Sequence, residues 1–293
     1  PSRNDEYLLY QTLLGAWPLG EMSEDALADF TGRIKAYMEK AIREAQVHTS
    51  WTKVNEEYEE AVAGFVEAVL SPDNNLFLDD FLTFQRRIAR AGALNALSQT
   101  LLKLTVPGVP DVYQGNDLWD LSLVDPDNRR PVDYGLRGRL LGDLKAMDPA
   151  ESNSLLDGDT WKDGRPKLYL TWKALELRRR MPELFESGEY VPLETTGALD
   201  DHLVAFARLY EKEAAIMVVP RLYAKLNIGE ALMFGEEVWT GTRISLPEEL
   251  AETPLHNLLT GEKVRIERGE EGAFVHAGGI LGGFPVALLA AEG

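Results

Sequence analysis

The sequence contains no cysteine among its 293 residues. This excludes disulfide bonds, thiolate metal sites and a cysteine nucleophile. It is compatible with a reducing compartment, so we expect a cytoplasmic protein. No apolar run approaches the roughly 20 residues that a membrane-spanning helix requires, and the first residues show no secretory signal. The chain also lacks an initial methionine, which suggests that further residues precede Pro1.

Positive charge is scarce as well. Lysine and arginine number 30 against 48 acidic residues, which gives a formal net charge of −18. Such a chain repels phosphate backbones and anionic lipid headgroups, so we expect neither a nucleic acid nor a membrane partner. A neutral ligand such as a sugar is unaffected by that field. The histidines lack the spacing of a metal site, and no glycine-rich phosphate loop is present, so we predict no metal and no cofactor.

Helical periodicity dominates the first hundred residues, within an ordinary globular composition of 45% hydrophobic and 27% charged residues. Asn4 is a candidate N-cap of the first helical pattern, and a second and a third pattern begin at Ser23 and Asn55. A fourth helix is predicted over residues 76–104. Another is predicted over residues 166–180, where three arginines suit the C-terminal end of the helix dipole.

The apolar period changes to two after Pro182, which indicates β-strands. Residues 202–210 and 214–219 flank a short charged turn and predict a β-hairpin, and six further short strands are predicted from residue 238 onwards. Strands at this spacing are typical of a small antiparallel β-sandwich. We therefore predict an α+β chain in two domains, residues 1–184 and 185–293.

The stretch from residue 106 to residue 135 is the most informative. Val106–Pro110 contains two prolines and a glycine, so it cannot continue a helix. The next residues predict a short buried strand over about 110–114. A loop rich in Asp, Asn, Pro and Arg follows to residue 135, and ordered loops of this length are usually functional.

The residue types in this loop suit a carbohydrate site. Aromatic faces pack on the C–H surfaces of sugar rings, and Asp, Asn and Arg bond vicinal hydroxyls. The same residues are equally compatible with a structural role. The acidic and amide residues of 125–128 could bond their own backbone in turns, and the two arginines that follow could pair only with neighbouring carboxylates.

Longer motifs favour the carbohydrate interpretation. Pro107–Gly115 resembles the last barrel strand of α-amylase-superfamily enzymes (glycoside hydrolase family 13). Leu123–Tyr134, Asn4–Pro18 and the pair Lys40–Ala45 with His48–Trp51 resemble the malto-oligosyltrehalose synthase branch of that superfamily. Three long motifs in family order form a specific signal. The resemblance implies that residues 1–184 combine a helical subdomain with the last strand of an incomplete (β/α)₈ barrel.

The resemblance also implies a reaction. Enzymes of this family isomerise the reducing-end α-1,4 linkage of a malto-oligosaccharide to an α,α-1,1 linkage, as a step in trehalose biosynthesis. They resemble retaining glycosidases, in which two carboxyl groups about 5 Å apart act through a covalent glycosyl-enzyme. In the superfamily these carboxylates lie on earlier barrel strands, which this sequence does not contain. We therefore predict no catalytic residue here, an inactive chain, and a missing N-terminal barrel portion as its partner.

The candidate substrate contacts come from the loop. They are Tyr113, Asp117, Trp119, Asp125, Asp127, Asn128, Arg129 and Arg130. His48 and Trp51 are also included, although a lone histidine at a helix end and a tryptophan often serve structure alone. Asn116-Asp117 stands where the family pattern has Thr-Glu, which leaves the contacts just after the predicted strand open.

The sequence is also compatible with two alternative functions. The chain could be part of another transglycosylase of the same superfamily, although the motifs at 4–18 and 48–51 argue against it. It could also be a non-catalytic oligosaccharide-binding or assembly module, which would bind sugar without turning it over.

Overall fold

The computed structural model describes residues 1–73, 75–226 and 235–291. Helices occupy the first part of the chain and strands the last, so the predicted mixed helix-and-sheet class is confirmed. The chain divides into two compact units. One consists of Pro1–Ala89 with Asp120–Val132, and the other of Arg90–Trp119 with Asp133–Gly293. None of the described helices is long and apolar enough to cross a bilayer.

The first unit is built from α-helices. They are α1 (Arg3–Ala16), α2 (Glu24–Ala45), α3 (Glu56–Leu70) and the beginning of α4 (Asn75–Thr105). The predicted second and third helical segments are formed, and the Ser23 and Asn55 side chains cap α2 and α3. The predicted cap at Asn4 is wrong, because the Ser2 side chain accepts from the Asp5 amide and α1 begins two residues earlier.

The core of the first unit lies between these helices. Phe30, Ile34, Met38 and Ile42 are buried at helical spacing on α2. They share one hydrophobic cluster with buried residues of α1, α3 and the start of α4. The apolar face of α2 is therefore committed to packing, and its polar residues lie outside that core.

The second unit begins with the later part of α4. It continues with α5 (Tyr134–Ala146), α6 (Arg165–Arg180) and α7 (Pro182–Glu186), and 3₁₀ turns lie between α5 and α6. The predicted helices at 76–104 and 166–180 are thereby confirmed.

The predicted buried strand over 110–114 is not formed. These residues make no ladder, and residues 111–114 are exposed, with Val109 96% exposed beside them. A strand exists only where its backbone groups pair with a neighbour, and within the described residues this segment has none.

Two antiparallel sheets form the rest of the second unit. The five-stranded sheet has the order β1-β3-β4-β9-β6, and the four-stranded sheet has the order β2-β5-β8-β7. The strands are β1 (Glu189–Pro192), β2 (Thr195–Thr196), β3 (Leu203–Tyr210), β4 (Glu213–Pro220), β5 (Arg243–Ser245), β6 (Leu255–Asn257), β7 (Ile266–Gly269), β8 (Gly272–His276) and β9 (Ala287–Ala291). Buried residues from both sheets belong to one hydrophobic cluster.

The predicted hairpin is β3 and β4, paired from Leu203 with Pro220 to Tyr210 with Glu213. A strand predicted at Val238–Trp239 is wrong. These residues lie in a 3₁₀ turn, Glu236–Trp239, because the buried Trp239 ring anchors the segment by packing rather than by strand pairing. A short helix, α8 (Ala277–Leu281), was not predicted. The division into domains at residue 184 stays a prediction.

Candidate substrate-binding site

The loop of residues 120–132 in the first unit is organised around Asp127. Arg33 on α2 donates from Nε to Asp127 Oδ1 and from Nη2 to Oδ2, both at 2.9 Å. The Leu123 amide donates to the same Oδ2 at 2.7 Å. Arg130 Nε lies 3.1 Å from Oδ1. Both carboxylate oxygens therefore have partners, and the Asp127 side chain is only 12% exposed.

The charge state of Asp127 follows from these contacts. Burial alone would raise its pKa, but the hydrogen bonds from Arg33 and Leu123 and the charges of Arg33 and Arg130 outweigh it, so the pKa lies below the usual value. Asp127 is thus a permanently charged anchor at neutral pH. This arrangement organises the loop, which is the structural role that the sequence left open for it.

The two predicted arginines of this loop face outwards. The Arg129 side chain is 69% exposed and that of Arg130 is 50% exposed. Arg129 Nε is ion-paired with Asp125, and the Asn128 Oδ1 atom is buried without a hydrogen-bond partner among the described residues. A guanidinium group with this much exposure is available to donate two coplanar hydrogen bonds to vicinal hydroxyls.

Two residues of α2, which were not among the predicted site residues, hold this loop. Besides Asp127, Arg33 reaches the Leu121 carbonyl, with Nη2 at 3.2 Å from the oxygen. Lys40 donates from Nζ to the Asp125 carbonyl at 2.6 Å. Arg33 and Lys40 are seven residues apart, so they lie on one face of the helix two turns apart. Lys40 belongs to a motif that carried the resemblance, which was the only available signal.

His48 and Trp51 lie on the connection between α2 and α3. The Arg43 guanidinium lies 4.8 Å from the centroid of the Trp51 ring, and the His48 ring packs against Tyr58 with centroids 4.5 Å apart. Trp51 is 56% exposed. Its ring therefore has a neighbour that fixes it and a surface that a ligand can reach.

Glu59 fixes this connection in turn. Arg43 donates to its carboxylate from Nε at 2.9 Å and from Nη2 at 2.6 Å, and Thr49 Oγ1 donates at 2.6 Å. The hydrogen bond from Arg43 is the main reason why the pKa of Glu59 falls to about 2. Burial opposes this effect and the Thr49 hydroxyl adds to it. The ion pair keeps Glu59 ionised, so it is unsuited to act as an acid.

Tyr113, Asp117 and Trp119 lie in the second unit. Arg137 on α5 donates from Nε to Asp117 Oδ2 at 2.5 Å and from Nη2 to the Gly115 carbonyl at 2.9 Å. The Trp119 indole donates to the Trp161 carbonyl at 2.6 Å. Tyr113 is about half exposed. Asp117 and Trp119 are thus held by the protein, and the Tyr113 ring faces solvent.

The ten predicted residues therefore fall into two groups, one in each compact unit. The group of the first unit gathers the loop 125–130 on α2 and places His48 and Trp51 between α2 and α3. The group of the second unit consists of Tyr113, Asp117 and Trp119, and the last two lie beside α5 and α6. No cluster of three histidine or acidic side chains suited to a metal ion occurs within the part of the chain that the structure describes.

No protein-family model matches the chain. Two curated proteins, each called a putative maltooligosyl trehalose synthase and each from a strain of Mycobacterium tuberculosis, are 45% identical to it over 201 residues. The chain belongs to the maltooligosyl trehalose synthase family. The match includes 68% of this chain and 23% of each relative, so the chain spans about a quarter of the length of these relatives.

Solved structures of the family have the same fold. The maltooligosyltrehalose synthase from Arthrobacter ramosus is 33% identical with a TM-score of 0.75, and the match covers 98% of this chain and 32% of that one. A further maltooligosyl trehalose synthase is 30% identical with a TM-score of 0.70, covering 99% and 34%. Both compact units of this chain therefore have counterparts in whole synthases.

Proposed function

We propose that this chain is the C-terminal part of an enzyme that converts the reducing-end α-1,4 linkage of malto-oligosaccharides into an α,α-1,1 linkage. The observation that carries the proposal is the match of 98% of the chain to a synthase of which it covers only 32%. Its activity is that of an intramolecular glucosyl transferase, an isomerase of (1→4)-α-D-glucan. The chain by itself is inactive.

The reaction has two steps in the whole enzyme. A carboxylate attacks the anomeric carbon of the penultimate glucose while a carboxylic acid protonates the O4 atom of the terminal glucose, so the α-1,4 bond breaks and a glycosyl-enzyme forms. The released glucose then turns, and its anomeric hydroxyl attacks the glycosyl-enzyme as its proton returns to the conjugate base. An α,α-1,1 bond forms and the reducing end is lost. Water must be excluded, since it would otherwise hydrolyse the intermediate.

This chain supplies substrate contacts and not the reacting carboxyls. Within the described part of the chain, Glu59 and Asp127 are the carboxyls with a lowered pKa, and both are bound by arginine, whereas a general acid requires a raised pKa. In this proposal Arg129, with Asp125 as its ion-pair partner, and Arg130 hold hydroxyls of the turning glucose.

Aromatic residues provide the remaining contacts. Tyr113 and Trp51 keep half of their surface exposed and can pack on sugar faces. The other candidates are His48, Asp117, Trp119, Asp127 and Asn128. In this proposal Asp117, Trp119 and Asp127 act mainly by fixing the backbone beside the sugar.

In this proposal the chain consists of two domains. Residues 1–184 combine a helical subdomain with the last strand of a (β/α)₈ barrel, over about 110–114, which pairs only when the rest of the barrel is present. Residues 185–293 form an antiparallel β-sandwich. The partner of the chain is the preceding barrel portion of the same protein, its substrate is a malto-oligosaccharide, and it acts in the cytoplasm without a cofactor.

A direct test compares the chain alone with a chimera. In the chimera, this chain replaces the part of the Arthrobacter ramosus synthase that it matches. Incubated with maltohexaose, the chimera should consume reducing ends, whereas the chain alone should leave them unchanged. The intact synthase is the positive control.

The contrary outcomes separate the alternatives. Loss of reducing ends with the chain alone would mean that it contains a complete catalytic site. An inactive but folded chimera, together with saturable binding of maltohexaose by the chain, would instead favour a non-catalytic oligosaccharide-binding module.

A further inference from the structure

The loop carrying Arg129 and Arg130 has few anchors of its own. Its internal contacts are turns, such as the Asp127 amide bonded to the Val124 carbonyl at 3.1 Å and the Arg130 amide bonded to the Asp127 carbonyl at 3.4 Å. Val124, Arg129 and Arg130 are exposed. Leu123 packs against the helical core at one point, but turn contacts do not fix the rest of the loop on the helical unit.

Helix α2 adds polar anchors at three points. Arg33 binds the Leu121 carbonyl and the Asp127 carboxylate, and Lys40 binds the Asp125 carbonyl. The anchored residues span the stretch from 121 to 127, which ends two residues before Arg129. The Arg33 side chain is largely buried, so its two-pronged contact is shielded from the screening that weakens surface ion pairs.

We propose that Arg33 and Lys40 are positioning residues for the proposed reaction: they clamp residues 121–127 onto α2 and thereby fix where Arg129 and Arg130 hold the sugar. This inference rests on the proposed function for its catalytic consequence and on the contacts alone for the clamp. Neither residue touches the sugar. They keep the guanidinium groups of Arg129 and Arg130 in one position. A guanidinium group that moves cannot retain the released glucose in the site while the glucose turns.

Trypsin provides a test on the chain itself. Arg129 and Arg130 are the only lysine or arginine residues in the loop 120–132, and Pro131 blocks cleavage after Arg130, so the loop contains one susceptible bond, after Arg129. Cleavage of a folded chain requires local opening. Losing a hydrogen bond to a charged group should therefore raise the rate of cleavage after Arg129 about tenfold or more in Lys40→Gln and in Arg33→Lys.

Lys35→Gln is the matched control. Lys35 lies on the same helix and is ion-paired with Glu67 on α3, away from the loop. Trypsin should cleave the Lys35→Gln variant after Arg129 at the wild-type rate. Arg33→Lys retains the charge and loses the fork, and Lys40→Gln removes a contact to a carbonyl only. Each variant loses the free energy of a local contact, so both should still unfold cooperatively with a midpoint lowered by only a few degrees, which separates release of the loop from loss of the fold.

The catalytic consequence is read in the chimera with the Arthrobacter ramosus synthase. If the clamp positions the sugar, Arg33→Lys and Lys40→Gln should raise the ratio of released glucose to isomerised product several-fold, because a displaced glucose admits water. Lys35→Gln should leave the ratio unchanged. A loss of stability alone would lower both products together.

The outcomes distinguish the inference from the proposed function. Unchanged cleavage after Arg129 in both variants, or equal acceleration in Lys35→Gln, would overturn the clamp. Faster cleavage with an unchanged product ratio would overturn its catalytic role. An inactive wild-type chimera would count against the proposed function, and the rate of cleavage would still decide whether the clamp exists.

Discussion

At the residue scale, the first unit contains two bidentate pairs of an arginine with a carboxylate. Arg33 binds Asp127 and Arg43 binds Glu59, each through two parallel hydrogen bonds to a carboxylate that is only 12% exposed. Such bidentate pairs are shorter and stronger than single contacts. Lys35 and Glu67, by contrast, pair at the surface, where ion pairs contribute little to stability. The two arginine pairs fix the two segments that carry the predicted contacts of this unit.

The pH dependence of the Glu59 pair follows from its lowered pKa. Folding holds the pKa near 2 against an ordinary value of 4.5, so the stabilisation is complete above pH 4.5 and is lost as the pH falls towards 2. Glu59→Gln should therefore unfold at lower urea concentration than the wild type at pH 7, and the difference should shrink between pH 4.5 and 2.

Glu67→Gln is the control for this prediction, because its carboxylate is more than half exposed. It should change the urea midpoint little at any pH. A difference between wild type and Glu59→Gln that stays constant down to pH 2 would contradict the assigned cause.

At the element scale, the segment 115–119 depends on the turn that begins α6. Gly164 has φ +84° and lies so close to the segment that a Cβ there would meet the Trp119 nitrogen at 2.7 Å. The buried Lys167 Nζ donates to the Leu118 carbonyl at 3.0 Å. The close approach at Gly164 and the Lys167 contact thus help to fix the backbone at Leu118 and Trp119.

Gly164→Ala should destabilise the chain by ~1–3 kcal/mol, because alanine is strained at that φ and its methyl group displaces Trp119. Urea titrations followed by the summed fluorescence of the six tryptophans should show this loss. Gly142→Ala is the matched control, since a Cβ there meets nothing within 4 Å. It lies inside α5 and should stabilise by roughly 0.5–1 kcal/mol. Equal effects of the two substitutions would argue against the close packing.

At the scale of the whole molecule, negative charge is in large excess. The formal net charge is −18, and the resulting self-repulsion destabilises a compact state. Added salt shortens the range of that repulsion from about 30 Å at 0.01 M to about 10 Å at 0.1 M.

The midpoint of thermal unfolding at pH 7 should therefore rise by a few degrees between about 10 mM and 200 mM sodium chloride. The increase should disappear near pH 4.7, where the net charge is close to zero. A midpoint that falls with salt at pH 7 would mean that favourable ion pairs outweigh the repulsion.

Local signals in the sequence determined the class of the chain, most of its helices and its main hairpin. Ser23 and Asn55 cap helices because a side-chain oxygen reaches an amide only three residues away. The β3–β4 hairpin follows from strands joined by a tight turn, and the three long motifs determined the family. Each of these signals lies within a short stretch of chain.

Only the tertiary structure decided the rest. Arg33 and Asp127 are 94 residues apart in the chain, so no local pattern marks them as partners. The predicted strand over 110–114 is unpaired, because pairing depends on a neighbouring strand and not on the propensity of the segment itself. Trp239 has a strand-like sequence but lies buried in a 3₁₀ turn. Contacts between distant segments arise from packing, and the energy of packing is not encoded in any single stretch of sequence.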